Sequence, residues 1–422
     1  MTASTTRVTF SDGQTIAGMA AVEPVTGPMA TPTPTPFPAP EIAAARLLID
    51  LDALAANWRT IAALAPGAET AGVVKADAYG IGLEPAVRAL HAAGCRTFFC
   101  ATIDEGIRLR RTLPDARVLV LNGLLPGSQS TFTGHGLIPV LNDLSDIARW
   151  QDWARSLGRR LPCAVQLDTG MTRLGLKGPD TERLASEPGR LDGLDLRLWL
   201  THPACADVPT HPLNRTQLDR FRTRLQHLPA APASFCNSPA VHLGPDRHFD
   251  LIRPGVALYG ANPTPAAKLR MREVIHLKAK ILQIHRVDTP RTVGYGATHP
   301  VDGPARIATV GVGYGDGYPR SLSGRAEGRI GDHVVPLVGR VSMDLTTFDV
   351  SAVPEALAGP GAEISLIGGG VDIDRLAHAG GTIAYELLTG LGRRYSRTWS
   401  GTGADTGSDA GTPTITGREG TV

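Results

Sequence analysis

The chain carries almost no net charge. Its 42 Lys and Arg stand against 40 Asp and Glu, a formal +2 over 422 residues, and no dense basic block with interleaved aromatics occurs. A surface without a field of one sign neither concentrates polyanions nor docks on an anionic bilayer. Nucleic acid and membrane therefore drop out as expected partners, and a small molecule becomes the default. Cysteine is sparse too: Cys95, Cys100, Cys163, Cys205 and Cys236 are odd in number and form no C-x-x-C pair. That excludes a disulfide framework and a zinc site, so no metal is expected, and it fits a reducing cytoplasm. No run of about 18 apolar residues is present to span a bilayer. The early stretch from Ile16 to Val22 is short, holds a Gly and lacks a basic flank, which argues against a secretory signal.

What is present is ample apolar material, 42% of the residues, enough for two or three domains. Residues 1–44 include Thr31-Pro-Thr-Pro-Thr-Pro-Phe-Pro-Ala-Pro40, whose prolines remove donors and favour an extended chain, so a disordered lead is expected. The Gly- and Thr-rich residues 401–422 are expected to be a disordered tail. From Arg46 the pattern predicts a strand over Leu47–Leu51. A helix follows, capped by Asp52, with Leu54, Trp58, Ile61 and Leu64 on one face. Short β-branched runs then alternate with helical patterns: 73–75, 98–102, 118–121, 138–141, 163–167, 196–200, 233–236 and 249–252. Eight such units close a (β/α)8 TIM-like barrel. Beyond about residue 270, alternating strands such as Val274–Leu282 and close Gly/Pro turns predict a C-terminal mainly-β domain. The expected division is thus a barrel over 45–270 and a β domain over 271–400.

In such a barrel the active residues sit on loops leaving the C-terminal strand ends. Lys75 ends the first strand, Arg173 follows the fifth in Asp168-Thr-Gly-Met-Thr-Arg-Leu-Gly175, and His202 follows the sixth. Asn237 and Ser238 follow the seventh; Arg253, Gly255 and Val256 follow the eighth. A lysine flanked by Val-Val and Ala is costly to bury as a cation, so burial frees its amine to attack an aldehyde. The plainer alternative is a lysine extended to solvent at a strand end. The seventh and eighth loops are the usual phosphate site of a barrel, and Ser238 with the backbone of Gly255 and Val256 is placed for it. A reactive lysine beside a phosphate cradle describes a pyridoxal 5'-phosphate site.

Here the chain resembles the alanine racemase family, with matching motifs from about residue 46 to 400. The most specific is Val73-Val-Lys-Ala-Asp-Ala-Tyr-Gly-Ile-Gly82; it implies Lys75 as Schiff-base lysine and Tyr79 as phosphate ligand. Ile81 replaces the family's usual His, a change expected to leave the chemistry intact. The resemblance implies that Arg253 bonds the pyridine nitrogen. A guanidinium cannot accept a proton, so that nitrogen stays unprotonated and the ring is a weaker electron sink. Taken alone, Arg253 could equally be a structural ion-pair partner.

Racemisation needs a proton donor or acceptor on each face of the substrate carbon, and Lys75 serves one. Gly311-Val-Gly-Tyr-Gly-Asp-Gly-Tyr-Pro-Arg320 resembles the segment that supplies the other, matching Tyr314, given by the partner subunit of a homodimer. Tyr318 is the rival. The resemblance nominates His202, oriented by Arg253, to assist Tyr314, and places Tyr295 in the partner's channel. Gly339-Arg-Val-Ser-Met-Asp344 implies Met343 and Asp344 as receivers of the substrate carboxylate together with Arg173, although Met343 by itself reads as a core filler. The implied activity interconverts L-alanine and D-alanine for peptidoglycan synthesis in the cytoplasm. A racemase of broader specificity, a decarboxylase of basic amino acids and a non-catalytic cofactor carrier are the alternatives.

Two departures stand out. Some family members have a carbamylated lysine at the position of Gln166; a neutral amide cannot be carbamylated, so Arg173 is expected to be oriented by Gln166 or by a bound anion such as chloride. In Tyr385-Glu-Leu-Leu-Thr-Gly-Leu-Gly-Arg-Arg-Tyr-Ser-Arg397 the size-limiting tyrosine of the family aligns with Arg393, and Tyr395 is a candidate to compensate.

Overall fold

The computed structural model describes residues 41–264, 267 and 269–402. Most of the expected lead and tail lie outside this range. Their described fringes are tied down: Ala43 is buried, the Ala44 carbonyl accepts from Lys280 N, and Thr402 N donates to Asp52 Oδ1.

Strand β1 (Ala45–Asp50) leads into a helix over Leu51–Leu64. Asp50, not Asp52, caps that helix by accepting from Ala53 N at 2.8 Å, which offsets one orphan donor of its first turn. Short strands β2 (Glu69–Thr70) and β3 (Gly72–Val73) follow, then β4 (Thr97–Cys100), β5 (Arg117–Val120), β6 (Ile138–Leu141), β7 (Leu161–Gln166), β8 (Leu194–Leu200), β9 (Ala233–Ser234) and β10 (Leu251–Ile252). Strands β3 to β9 form one parallel seven-stranded sheet in chain order. The last strand joins both ends of that sheet. Asp250 N bonds Ala233 O and Arg253 N bonds Cys236 O on one side; on the other, β10 pairs with β2, and Ala71 N and Val73 N bond Ile252 O and Pro254 O. All eight expected strand positions take part. Strands β4 and β6 are buried at every residue, as a parallel sheet covered on both faces requires.

The second large sheet is built from β11 (Ile275–Val287), β14 (Ala305–Val310), β15 (Glu327–Ile330), β16 (His333–Pro336), β17 (Thr346–Asp349), β18 (Glu363–Ile367) and β19 (Ser396–Ser400), while β12 (Arg291–Val293) and β13 (His299–Val301) form a two-stranded hairpin sheet of their own. Burial alternates residue by residue along β11 from Ile275 to Ile281, one face inward and one outward. The strand predicted at the head of the barrel belongs here: β1 runs antiparallel to β11 and parallel to β19. Its alternating pattern suits a sheet with one wet face rather than a doubly covered barrel wall. Among the described residues no helix is long and apolar enough to cross a membrane, and all five cysteines are free.

Candidate active site

The chain leaves β3 in an unusual conformation. Ala76, Asp77, Ala78 and Tyr79 all have φ between 53° and 55°, a full turn of the left-handed hand that L-residues avoid at ~1–2 kcal/mol each. The turn closes through Ala78 N to Val74 O and Gly80 N to Ala76 O. Gly80, at φ 82°, ends it where a Cβ would collide with the Leu388 carbonyl. Strain of this kind persists only where its surroundings over-determine it, and it concentrates at functional sites. Here its effect is to present Lys75 and Tyr79 to one cavity of about 310 Å³ at the C-terminal ends of the barrel strands. Ile81, by contrast, is fully buried away from the cavity lining.

That cavity gathers Lys75, Tyr79, Gln166, Arg173, His202, Asn237, Ser238, Arg253, Gly255 and Val256. Burial, then the Arg173 charge, lowers the affinity of the Lys75 amine for a proton; Glu105 partly opposes this. At the far end Ser238 Oγ accepts from Gly255 N at 2.8 Å and Ala257 N at 3.4 Å. A Cβ on Gly255 would overlap the Tyr79 hydroxyl, so the glycine is what lets hydroxyl and backbone N–H converge. Two hydroxyls and a backbone turn make the donor set a phosphate needs. Tyr79 is fixed by stacking on Tyr259 at 4.4 Å, and the Tyr259 hydroxyl donates to Val73 O.

Arg253 is buried. Its terminal nitrogens donate to Ser234 Oγ and to Thr201 O, its guanidinium lies 6.0 Å from the Phe99 ring centre, and burial brings its pKa to about 10, still a cation at neutral pH. Nε is left without a hydrogen bond among the described residues, a donor for a ring nitrogen. The Arg253 charge reaches His202 through space, while the ring of His202 lies 3.4 Å from Asn237 Nδ2. Burial first, then Arg253, Arg173 and Lys75, hold the imidazole at a pKa of about 3. His202 is therefore neutral. The loop bearing Arg173 is knotted by Asp168 Oδ1, which accepts from Gly170, Met171 and Thr172 N at 3.0 Å each. Gln166 Nε2 donates to the Leu174 carbonyl at 3.0 Å, so it steadies this loop's backbone rather than the Arg173 guanidinium. Amine, phosphate cradle, buried cation and cavity together fit pyridoxal phosphate.

Tyr314, Met343 and Asp344 do not line this cavity. Tyr314 N bonds Ser342 O and Gly315 N bonds Met343 O, so the three residues form one surface patch. Tyr314 is 42% and Met343 55% exposed. Arg394 binds the patch together, donating to the buried Asp316 and to Asp344 at 2.6 Å each, and Asp316 also accepts from Gly313 N. Tyr295 is exposed as well, whereas Tyr318 is buried with its hydroxyl unpartnered among the described residues. Position 393 does not line the cavity of this chain. Arg393 is exposed off the lining, Tyr395 is buried, and the tyrosine at the cavity is Tyr385, tilted against Tyr79 at 6.0 Å. The motif was visible in the sequence, but an aromatic at its first position carried no signal that it, rather than the ninth residue, turns inward.

Known proteins resemble this chain over most of its length. Residues 49–263 match the family model "Alanine racemase, N-terminal domain" and residues 274–399 match "Alanine racemase, C-terminal domain". An alanine racemase of Rhodospirillum rubrum is 50% identical over 359 residues, 85% of this chain and 96% of that protein. One from Methylobacterium nodulans is 46% identical over 84% of this chain and 95% of its own length. The crystal structure of alanine racemase from Bartonella henselae with covalently bound pyridoxal phosphate superimposes with a TM-score of 0.82 at 35% identity, covering 85% of this chain and all of that one.

Proposed function

The chain belongs to the alanine racemase family of pyridoxal-phosphate-dependent isomerases, and from that premise we propose that it interconverts L-alanine and D-alanine by a two-base mechanism in a cytoplasmic homodimer, supplying D-alanine for peptidoglycan. The observation that carries this reading is the division of the chemistry. One cavity collects an amine with lowered proton affinity and a phosphate cradle, while the second candidate base, Tyr314, stands exposed on a patch where a second subunit could receive it.

Lys75 would hold pyridoxal phosphate, which when bound would supply an electron-withdrawing ring that acidifies the α-proton of an amino acid. Ser238, Tyr79 and the backbone of Gly255 and Val256 would hold its phosphate. Arg253 would offer the ring nitrogen only a donor, which would limit charge withdrawal and favour return of the proton over side reactions. The Lys75 amine takes or gives the proton on one face. Tyr314 of the partner subunit does so on the other. Arg173, with Met343 and Asp344 of that same partner patch, receives the substrate carboxylate.

Incubation with L-alanine in deuterium oxide tests this directly. D-alanine labelled at Cα is the expected product. Tyr314→Phe should block exchange of the L-alanine α-proton while cofactor stays bound; unchanged exchange in that variant removes Tyr314 from the mechanism.

A further inference from the structure

Glu105 lies in the helix Ile103–Thr112, outside the cavity lining, and no step above uses it. Its two oxygens are nevertheless fully engaged with backbone. Oε1 accepts from Ala76 N at 2.5 Å and Asp77 N at 3.4 Å; Oε2 accepts from Ala101 N at 2.8 Å and Thr102 N at 3.3 Å. The ladder between β3 and β4 runs on to Val74 N with Phe99 O and cannot continue, because the chain changes hand at Ala76. The N–H groups of the first two left-handed residues would then have no acceptor. One carboxylate supplies it, and the same carboxylate closes a capping box with Thr102 at the head of its own helix.

We propose that Glu105 is a positioning residue for the active site: its carboxylate clamps the strained turn 76–79 to the end of β4 and so keeps the Lys75 amine and the Tyr79 hydroxyl on the same cavity. This rests on the reading that Lys75 carries pyridoxal phosphate. The clamp has an electrostatic side as well. The Glu105 charge raises the proton affinity of Lys75 against burial and Arg173, so geometry and basicity of the amine are set by one group.

Three variants separate these effects. Glu105→Gln keeps the size but offers one oxygen and turns an NH2 toward the other pair of donors; it should weaken pyridoxal phosphate binding at least about tenfold and move the pH midpoint for acylation of Lys75, read by peptide mapping of cofactor-stripped protein, to lower pH. Glu105→Asp keeps the charge but not the reach, so binding should weaken while the midpoint stays near that of the wild type. Thr102→Ala removes only the helix cap; its Tm should fall with binding and midpoint unmoved. A lowered Tm in both Glu105 variants with unchanged cofactor affinity and unchanged midpoint would show a helix cap and nothing more, overturning the proposal. If borohydride reduction and mapping of the wild type found the cofactor elsewhere than Lys75, the functional reading would fall first and this inference with it.

Discussion

A buried neutral histidine makes stability depend on pH with a slope that can be worked out. In the unfolded chain His202 titrates near 6.5; in the folded protein burial and three cations hold it at about 3. Above pH 6.5 neither state takes the proton and the group adds no pH dependence. Between 6.5 and about 3 only the unfolded chain binds it, so folding stability falls as pH falls, by ~1.4 kcal/mol per pH unit. Below about 3 both states are protonated and the loss levels off. The whole window amounts to roughly 5 kcal/mol, an upper bound because His202 lines the cavity. The assay is urea denaturation at a series of pH values from 7 to 4 for the wild type and His202→Gln, whose amide keeps an acceptor toward Asn237. The wild-type slope should exceed that of the variant by about one proton, and the imidazole resonance lost in His202→Gln should not move above pH 5. Equal slopes, or a His202 resonance titrating near 6.5, would refute the placement of a neutral imidazole among Lys75, Arg173 and Arg253.

Gly255→Ala should drive the Tyr79 hydroxyl out of the phosphate cradle and weaken pyridoxal phosphate binding by at least about tenfold, or ~1.4 kcal/mol. Adding Tyr79→Phe should then cost little more, a non-additivity that a double-mutant cycle of cofactor affinity measures. Asp316→Asn removes the charge facing Arg394 and leaves one acceptor oxygen for both Arg394 Nε and Gly313 N, which loosens the loop carrying Tyr314. Loss of a charge-assisted hydrogen bond, discounted because Arg394 is half-exposed, is worth about 1 kcal/mol, seen as a lower Tm and a lower kcat with cofactor affinity kept. Tyr385→Ala removes the ring tilted against Tyr79 and should weaken pyridoxal phosphate binding, whereas Arg393→Ala, off the cavity lining, should leave that affinity unchanged.

The sequence by itself determined the barrel and most of its rim. Strand periodicity is a local property, and a barrel converts strand ends into one rim by topology alone, so Lys75, Arg173, His202, Ser238 and Arg253 could be placed together from their positions after successive strands. The same logic failed wherever the answer depended on a partner distant in the chain. Strand β1 reads like any other strand, yet only its pairing with β11 and β19 shows which sheet it joins. Arg393 and Tyr385 share one motif, and only the packing of that motif against Tyr79 selects the residue that faces the cavity. Tyr314 and Tyr318 differ by four positions in a glycine-rich run; tertiary structure buries one and exposes the other. Least legible was the left-handed turn after Lys75. Ala-Asp-Ala-Tyr has no intrinsic preference for that hand, and what holds it is a carboxylate 29 residues further along the chain.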